Sequence, residues 1–289
     1  MSQGKARCLY LGRSGLVQSQ NAPDWSFIYQ VSTVKSPEFN VGDRVVLPDG
    51  RVYRYGKAGT GGVLPQVAAA YTKACNAYAV APTQATLASS GFPAVGTPTV
   101  GAVGSQYITY TCASPFGVLG TGAIGEDELR GGHIVIGNGG AQNPQNRGII
   151  GNPALAAAGV HTIRLDAPLV TAVTVGTTGI EVVGNPYLYL VNDGSSQQPF
   201  VSWMGVPVMA ATVGQYFWLQ TWGPCWMTSD GHTCAAAGSR EIFIKSNGSV
   251  QSGDYFTYAG TAYQRAGFAI DASSSGSSNS PFVMLQISC

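Results

Sequence analysis

Few side chains in this sequence are of the types that catalyse reactions. Its three histidines, His133, His161 and His232, each have a structural explanation. His161 alternates with Ile163 and Leu165, which predicts all three on one face of a strand, where a packed histidine is more common than a catalytic one. His133 follows two glycines at the start of a strand, and His232 lies in a turn. We expect none of them to act as a catalytic acid or base.

The acidic residues show no spacing that supports acid–base or metal chemistry. Glu126, Asp127 and Glu128 form the one acidic cluster, but the spacing of a calcium loop is missing, and a solvated loop or helix start is favoured. Hydrolysis of a glycoside requires two carboxylates that flank a sugar. The other candidate carboxylates are Asp166, Glu181, Asp193, Asp230 and Glu241. Nothing in their spacing pairs any two of them.

The cysteines are scattered rather than spaced as a disulfide framework. They are Cys8, Cys75, Cys112, Cys225, Cys234 and Cys289. Because the first residues lack the apolar segment of a secretory signal peptide, we expect reduced and mostly buried thiols. Cys225, His232 and Cys234 offer two thiols and an imidazole, but zinc needs a fourth ligand. We interpret this segment as a packed loop, and a metal site or a disulfide is a less favoured alternative.

Glycine-rich stretches at 59–62 and 137–140 lack the patterns of nucleotide-binding loops and are interpreted as turns. Together with the histidines, carboxylates and cysteines, they predict no catalytic residue, no cofactor-binding residue and no metal ligand.

Aromatic residues are concentrated in one part of the chain. Trp203, Trp218, Trp222 and Trp226 lie within 24 residues, and we call them the Trp203–Trp226 cluster. Alternation along a strand puts Tyr216, Trp218 and Trp222 on one face, while the opposite face is also partly apolar. An exposed aromatic row could stack on sugar rings, whereas a buried one would belong to a core or a subunit interface. We favour a core or interface and keep a glycan platform as the alternative.

Strands must position these side chains, because most of the sequence has strand and turn patterns. The clearest signal is at 41–55, where Pro48, Asp49 and Gly50 predict a turn between two strands of a hairpin. Residues 63–80 are the one stretch whose composition permits a helix. Further strands are predicted at 106–112, 133–136, 160–165, 169–175, 180–183, 187–191, 216–222, 241–245, 255–258, 267–270 and 282–287. We therefore predict a mainly β protein, with an antiparallel β-sandwich or barrel-like body and little helix.

The two ends of the chain differ from this body. Residues 1–40 have weak periodicity and predict an extended N-terminal arm with one strand near 26–34. Residues 41–272 would form the all-β body, either in one piece or as two β subdomains split near 95–125. Residues 273–289 combine a flexible serine-rich loop with a last strand that returns to a sheet.

The charge content excludes several classes of partner. The sequence has 15 Lys+Arg and 14 Asp+Glu in 289 residues, so charged residues make up 10% and the formal net charge is +1. An ordinary soluble domain has about 25% charged residues. A nearly neutral chain has no long-range field to hold nucleic acid or an anionic membrane, and no segment has the uninterrupted apolar length of a spanning helix. We predict neither nucleic acid nor membrane as a partner, and we expect much of the uncharged surface to lie against other subunits.

Seven segments carry a resemblance to a known family through their order along the chain. They are FNVGDRVVLPDGRVYRYGKAG at 39–59, ELRGGHIVI at 128–136, IGNPALAAA at 150–158, VHTIRLDAPL at 160–169, GNPY at 184–187, GVPV at 205–208 and YFWLQTWGP at 216–224. In this order they resemble structural proteins of tailed bacteriophages, in particular capsid decoration (cement) proteins and closely related virion proteins. The resemblance covers about residues 39–230.

The resemblance implies a non-enzymatic virion protein that binds the outer surface of the icosahedral capsid and stabilises it. It implies the major capsid protein and further copies of the chain as partners, with a trimer favoured, and assembly onto the capsid surface in the cytoplasm of the bacterial host. No catalytic residue, cofactor or metal is implied. The alternative is a tail, fibre or baseplate protein that binds a host glycan through the Trp203–Trp226 cluster. In the capsid interpretation, 126–128 and 273–280 are among the parts that face solvent.

Overall fold

The fold is mainly β, as the sequence predicts. The computed structural model describes residues 25–71, 97–112, 125–138, 145–154, 159–173, 178–192, 202–229, 240–253, 264–271 and 280–288. These contain a 3₁₀ helix, Ser26–Tyr29, and the strands β1 Arg44–Val46, β2 Val52–Ala58, β3 Ala69–Tyr71, β4 Thr97–Val100, β5 Tyr107–Cys112, β6 His133–Asn138, β7 Gln145–Gly151, β8 Gly159–Leu165, β9 Thr178–Val183, β10 Leu188–Leu190, β11 Ser202–Pro207, β12 Tyr216–Trp226, β13 Glu241–Ile244, β14 Val250–Ser252, β15 Gln264–Asp271 and β16 Phe282–Gln286.

The chain divides into two compact units, and the second is inserted into the sequence of the first. The first unit consists of Met1–Ala70, Leu190–Ser196 and Ser202–Cys289, and the second of Tyr71–Tyr189 and Gln197–Val201. The chain leaves and re-enters the first unit at one place, because Ala70 and Val191 form an antiparallel bridge with backbone hydrogen bonds of 2.7 and 3.1 Å. The region near 95–125 does not separate the units, since β4 and β5 pair with each other inside the second unit.

The first unit is built around β12, the longest strand among the described residues. Its sheet has the order β1-β2-β12-β16-β15-β13-β14, and β11 pairs with both β12 and β3 beside this path. The predicted hairpin at 41–55 is confirmed as β1 and β2. Its turn closes where the Gly50 N–H donates to the Leu47 carbonyl at 3.0 Å. Gly50 has φ of +87°, a left-handed conformation that favours glycine.

A shift of register in β12 changes which face its later side chains share. Trp218 lies opposite Tyr55 and Gln220 lies opposite Tyr53, but Trp222 lies opposite Val52. Two steps along β12 therefore match one step along β2 between Gln220 and Trp222, as in a β-bulge. Because neighbouring side chains on β2 point to opposite faces, Trp222 lies on the face opposite to Trp218. The prediction that Tyr216, Trp218 and Trp222 share one face is wrong for Trp222.

The second unit is a six-stranded antiparallel sheet with the order β4-β5-β8-β7-β6-β9. Cα atoms of its edge strands β4 and β9 come within 8 Å of each other, so the sheet curls towards a barrel. Alternate side chains of its strands fill the core. The large side chains that are fully buried there include Ile108, Ile134, Ile136, Ile163 and Leu165.

Three predictions of local structure are wrong in the described residues. The helix permitted at 63–80 is instead a turn followed by β3, whose small side chains are buried, so tertiary packing overrides a weak helical propensity. Residues 72–80 lie outside the described residues. The strand expected near 26–34 is a 3₁₀ helix followed by a single bridge from Ser32 to Tyr216. Residues 169–173 form bends rather than a strand, and the predicted strand 255–258 lies outside the described residues.

Candidate functional site

The histidines of the described residues do not form a reactive site. His161 is buried among the core side chains of the second unit, and its Nε2 lies 3.3 Å from the Pro153 carbonyl oxygen. Burial lowers the pKa of His161, which keeps the ring neutral. The prediction of a packed sheet histidine is confirmed. His133 is exposed at the start of β6, and His232 lies outside the described residues.

The acidic cluster is a turn in which two of the three carboxylates make local contacts. Glu126 is exposed, as expected, but Asp127 and Glu128 are half-buried. Asp127 forms an ion pair with Arg130 at 3.6 Å and accepts a hydrogen bond from the Asn152 N–H at 3.3 Å. Glu128 accepts hydrogen bonds from the Gly125 N–H and the Tyr189 hydroxyl. These contacts give both carboxylates a structural role in holding the turn.

The other carboxylates stay apart in the fold. Asp166 follows β8 in the second unit, whereas Glu241 begins β13 in the first. Glu181 belongs to β9, and Asp193 and Asp230 lie outside the described residues. Within the parts of the chain that the structure describes, no group of three or more histidine, cysteine, aspartate or glutamate side chains could hold a metal ion.

Cys225 is a buried thiol on β12. Burial raises its pKa to about 12, so the thiol is protonated and a poor nucleophile at neutral pH. Its Sγ lies 3.6 Å from the Trp226 carbonyl oxygen. Cys112 belongs to β5. The remaining cysteines lie outside the described residues, so the loop from Cys225 to Cys234 stays a prediction.

The Trp203–Trp226 cluster does not form one platform. Trp203 and Trp218 are buried, with 4% and 2% of their surface exposed, while Trp222 is half-buried and Trp226 is 55% exposed. The preference for a core or interface is therefore correct as a core for two of the four tryptophans. The other two lie together on a different face of the same strand.

The buried part forms what we call the covered cluster, which consists of Trp218, Tyr55, Tyr216, Phe27 and Phe39. The Trp218 ring meets Phe39 edge-on at 4.9 Å and Phe27 edge-on at 5.4 Å between ring centroids. Tyr55 stacks on Tyr216 at 5.7 Å. Edge-on and offset stacked rings are the favoured arrangements of aromatic pairs. The segment 25–39, predicted as part of an extended arm, thus packs onto the sheet and covers this cluster.

The exposed part belongs to what we call the aromatic face, on the last rows of β12, β16 and β15. Trp226 lies opposite Phe282 in the antiparallel register, and Phe268 lies opposite Met284. Four apolar side chains of this face are exposed, namely Trp226, Phe282, Phe268 and Ile270. The half-buried side chains of Trp222, Pro224 and Met284 extend the same face. The alternate residues point to the core, so the sheet is covered on one side only.

Trp226 is held in place by one hydrogen bond. Its indole Nε1–H donates to the Ser280 carbonyl oxygen at 3.1 Å, just before β16 begins. The bond fixes the ring beside Phe282 while leaving more than half of its surface open.

Charged side chains flank the aromatic face. Arg265 forms an ion pair with Glu241 at 3.4 Å and donates a hydrogen bond from Nη1 to Gln286 at 3.3 Å. Asp271, opposite Phe282 at the other end of β15, is exposed. The face therefore has an arginine at one end, an aspartate at the other and apolar rings between them.

Comparisons with known proteins do not assign this surface. No family model, curated protein or solved structure matches the chain. In the described residues, no helix is long and apolar enough to cross a membrane. The function must therefore be argued from the surface itself.

The aromatic face can bind by excluding water from its rings, and it offers few groups for covalent chemistry. Burying apolar surface contributes about 25 cal/mol per Å². Sequence reasoning missed Phe268, Ile270 and Phe282. The available signal was that Phe282 and Met284 alternate with equally apolar core residues, so one of the two apolar faces of β16 had to meet something other than the core.

Proposed function

We propose that this protein is a non-enzymatic structural protein of a phage virion, which binds the outer surface of the icosahedral capsid as a homo-oligomer and stabilises it. The aromatic face is the observation that carries the proposal. Four large apolar side chains lie together there, and the described residues leave them uncovered. An apolar patch of this kind on a folded chain marks an interaction site.

The composition of the chain supports a structural role. Charged residues are depleted to 10%, and interface cores are depleted in charge and enriched in aromatic residues, methionine and arginine. A lattice of identical sites multiplies weak contacts, so a modest patch suffices for stable decoration. The ordered resemblance of residues 39–230 to decoration and related virion proteins supplies the partner, which is the major capsid protein.

The decisive experiment has two parts. Purified virions are analysed by mass spectrometry for this chain, and recombinant protein is then added to undecorated shells and sedimented with them. We expect the chain in the particles and saturable binding to the shells. Absence from particles together with no binding to shells would sink the proposal.

Variants locate the binding surface. Trp226→Ala should reduce the amount of protein bound to shells, because it removes the largest exposed ring of the aromatic face. Tyr29→Ala is the matched control, since Tyr29 is an aromatic residue of similar exposure, 54%, outside this face. Equal loss of binding in both variants would separate the aromatic face from capsid binding.

A second candidate function is a tail, fibre or baseplate protein that binds a host glycan. The observation that favours it is the placement of Trp222 and Trp226 on one face, where their rings could stack on sugars. Binding on a glycan array that Trp226→Ala abolishes, without binding to shells, would favour this candidate.

A further inference from the structure

We propose that the aromatic face docks against the same face of a second copy of this chain, around a two-fold axis that passes close to Phe268. This proposal is independent of the virion proposal, because self-association is measured on the purified chain alone.

The side chains of the face fit a protein partner better than a sugar. The neighbours of its exposed rings are themselves apolar, namely Ile270, Met284 and Pro224. A sugar carries hydroxyl groups that need polar partners around the stacking ring, and apolar neighbours would leave them without hydrogen bonds. Another apolar sheet face can instead interdigitate with this one, as in the packing of two sheets.

The charges of the face identify that partner as a second copy. On β15, Arg265 and Asp271 lie on the exposed side, each three residues from Phe268. In a two-fold interface, a residue that contacts a second residue on the other copy is repaid by the reverse contact. An axis at Phe268 therefore brings the Arg265 of each copy opposite the Asp271 of the other, and each copy supplies both members of the complementary pair.

The size of the face sets the expected strength. Four strands about 4.8 Å apart and three rows of side chains give a footprint of roughly 20 by 20 Å. Stable interfaces bury about 800 Å² of surface per partner, so this face lies at the small end. The net charge of +1 adds almost no repulsion between copies. We expect a reversible, concentration-dependent dimer.

Sedimentation velocity tests the axis through a charge exchange. Asp271→Arg alone would bring two arginines together at each contact, and Arg265→Asp alone would bring two aspartates together. Because two contacts change from attraction to repulsion, each variant should self-associate about tenfold more weakly than the natural chain at low salt. In a mixture of the two variants, both contacts become Arg–Asp pairs again. The mixture should therefore form a heterodimer at a concentration where each variant alone is a monomer.

The local cost of placing an aspartate beside Glu241 is the same in the mixture as in Arg265→Asp alone, so recovery reports the contact between copies. Glu126→Arg is the matched control, since it makes the same charge change at an exposed site of the second unit and should leave association unchanged. Circular dichroism verifies that every variant is folded.

Three results would overturn the proposal. They are a monomeric natural chain across about two orders of magnitude in concentration around the micromolar range, a mixture that associates no better than its components, and a loss of association in Glu126→Arg equal to that in Asp271→Arg. A monomeric chain whose Trp226 binds shells or glycans would assign the face to that other partner.

Discussion

Two aromatic groups on one sheet meet different fates. The covered cluster and the aromatic face both depend on β12, and Trp218 and Trp226 are eight residues apart on it. One tryptophan is 2% exposed and the other 55%. The difference comes from the segment 25–39, which lies over the covered cluster. The apolar content of a strand therefore does not decide which of its faces is buried; a separate piece of chain has to cover that face.

The largest expected contrast is between two substitutions of the same type on β12. Trp218→Ala should lower the free energy of unfolding by about 3 to 5 kcal/mol, because it opens a cavity inside the covered cluster. Trp226→Ala should lower it by about 1 kcal/mol or less, since the ring is already more than half in solvent. Urea unfolding monitored by circular dichroism measures both. Similar losses in the two variants would contradict the division into covered and exposed groups.

The covering segment should be worth nearly as much as the ring that it covers. Ile28 is fully buried against the covered cluster. Ile28→Ala should cost about 2 to 5 kcal/mol in the same urea experiment, because a large buried side chain is lost. Val34→Ala is the control, since Val34 is exposed on the same segment and its truncation should change stability by about 0.5 kcal/mol or less. If Ile28→Ala were as mild as the control, the segment would not act as a cover.

Alkaline pH should act on the covered side of the sheet. Burial raises the pKa of Tyr53 to about 12, above the value of 10 for an exposed tyrosine. The folded state favours the protonated ring, so its stabilising contribution is complete below about pH 10 and is lost as the pH rises towards 12. Cys225, with a pKa of about 12, adds a loss of the same sign. Tyr53→Phe should flatten the fall in stability with pH, measured by urea unfolding at a series of alkaline pH values, and Tyr29→Phe should not.

Acid should act on the second unit instead, with the smallest effect. Burial lowers the pKa of His161 below its usual 6.5, so the folded state favours the neutral ring. Its contribution is present above about pH 6.5 and is lost as the pH falls below that value, where the unfolded chain binds the proton more readily. His161→Gln should reduce this acid dependence, while the exposed His133→Gln should leave it in place. Thermal unfolding between pH 7 and pH 5 checks both variants.

The features that follow from neighbouring residues were predictable from sequence. The turn at Pro48, Asp49 and Gly50 is encoded by three adjacent residues, and alternation around His161 places that ring in a core. Alternation failed at Trp222, because the register shift in β12 depends on pairing with β2, which lies more than 150 residues earlier in the chain.

The candidate site was harder to predict than the fold. Phe268 and Phe282 meet Trp226 only through the order of the strands in the sheet. A strand with two apolar faces does not reveal which one is covered, because that depends on a distant segment. The residues that cover Trp218 lie about 180 positions before it in the sequence.

The bridge between Ala70 and Val191 has a consequence for how the chain folds during synthesis. Lys57 pairs with Tyr216, so β2 leaves the ribosome 216 − 57 = 159 residues before its partner strand. At about 5 to 20 residues per second, this is a delay of roughly 8 to 32 seconds. The inserted unit is nearly continuous in sequence and can fold during that delay. Once its two ends are held side by side, most of the entropy lost in closing a long loop is already lost, so β12 emerges close to the strand with which it pairs.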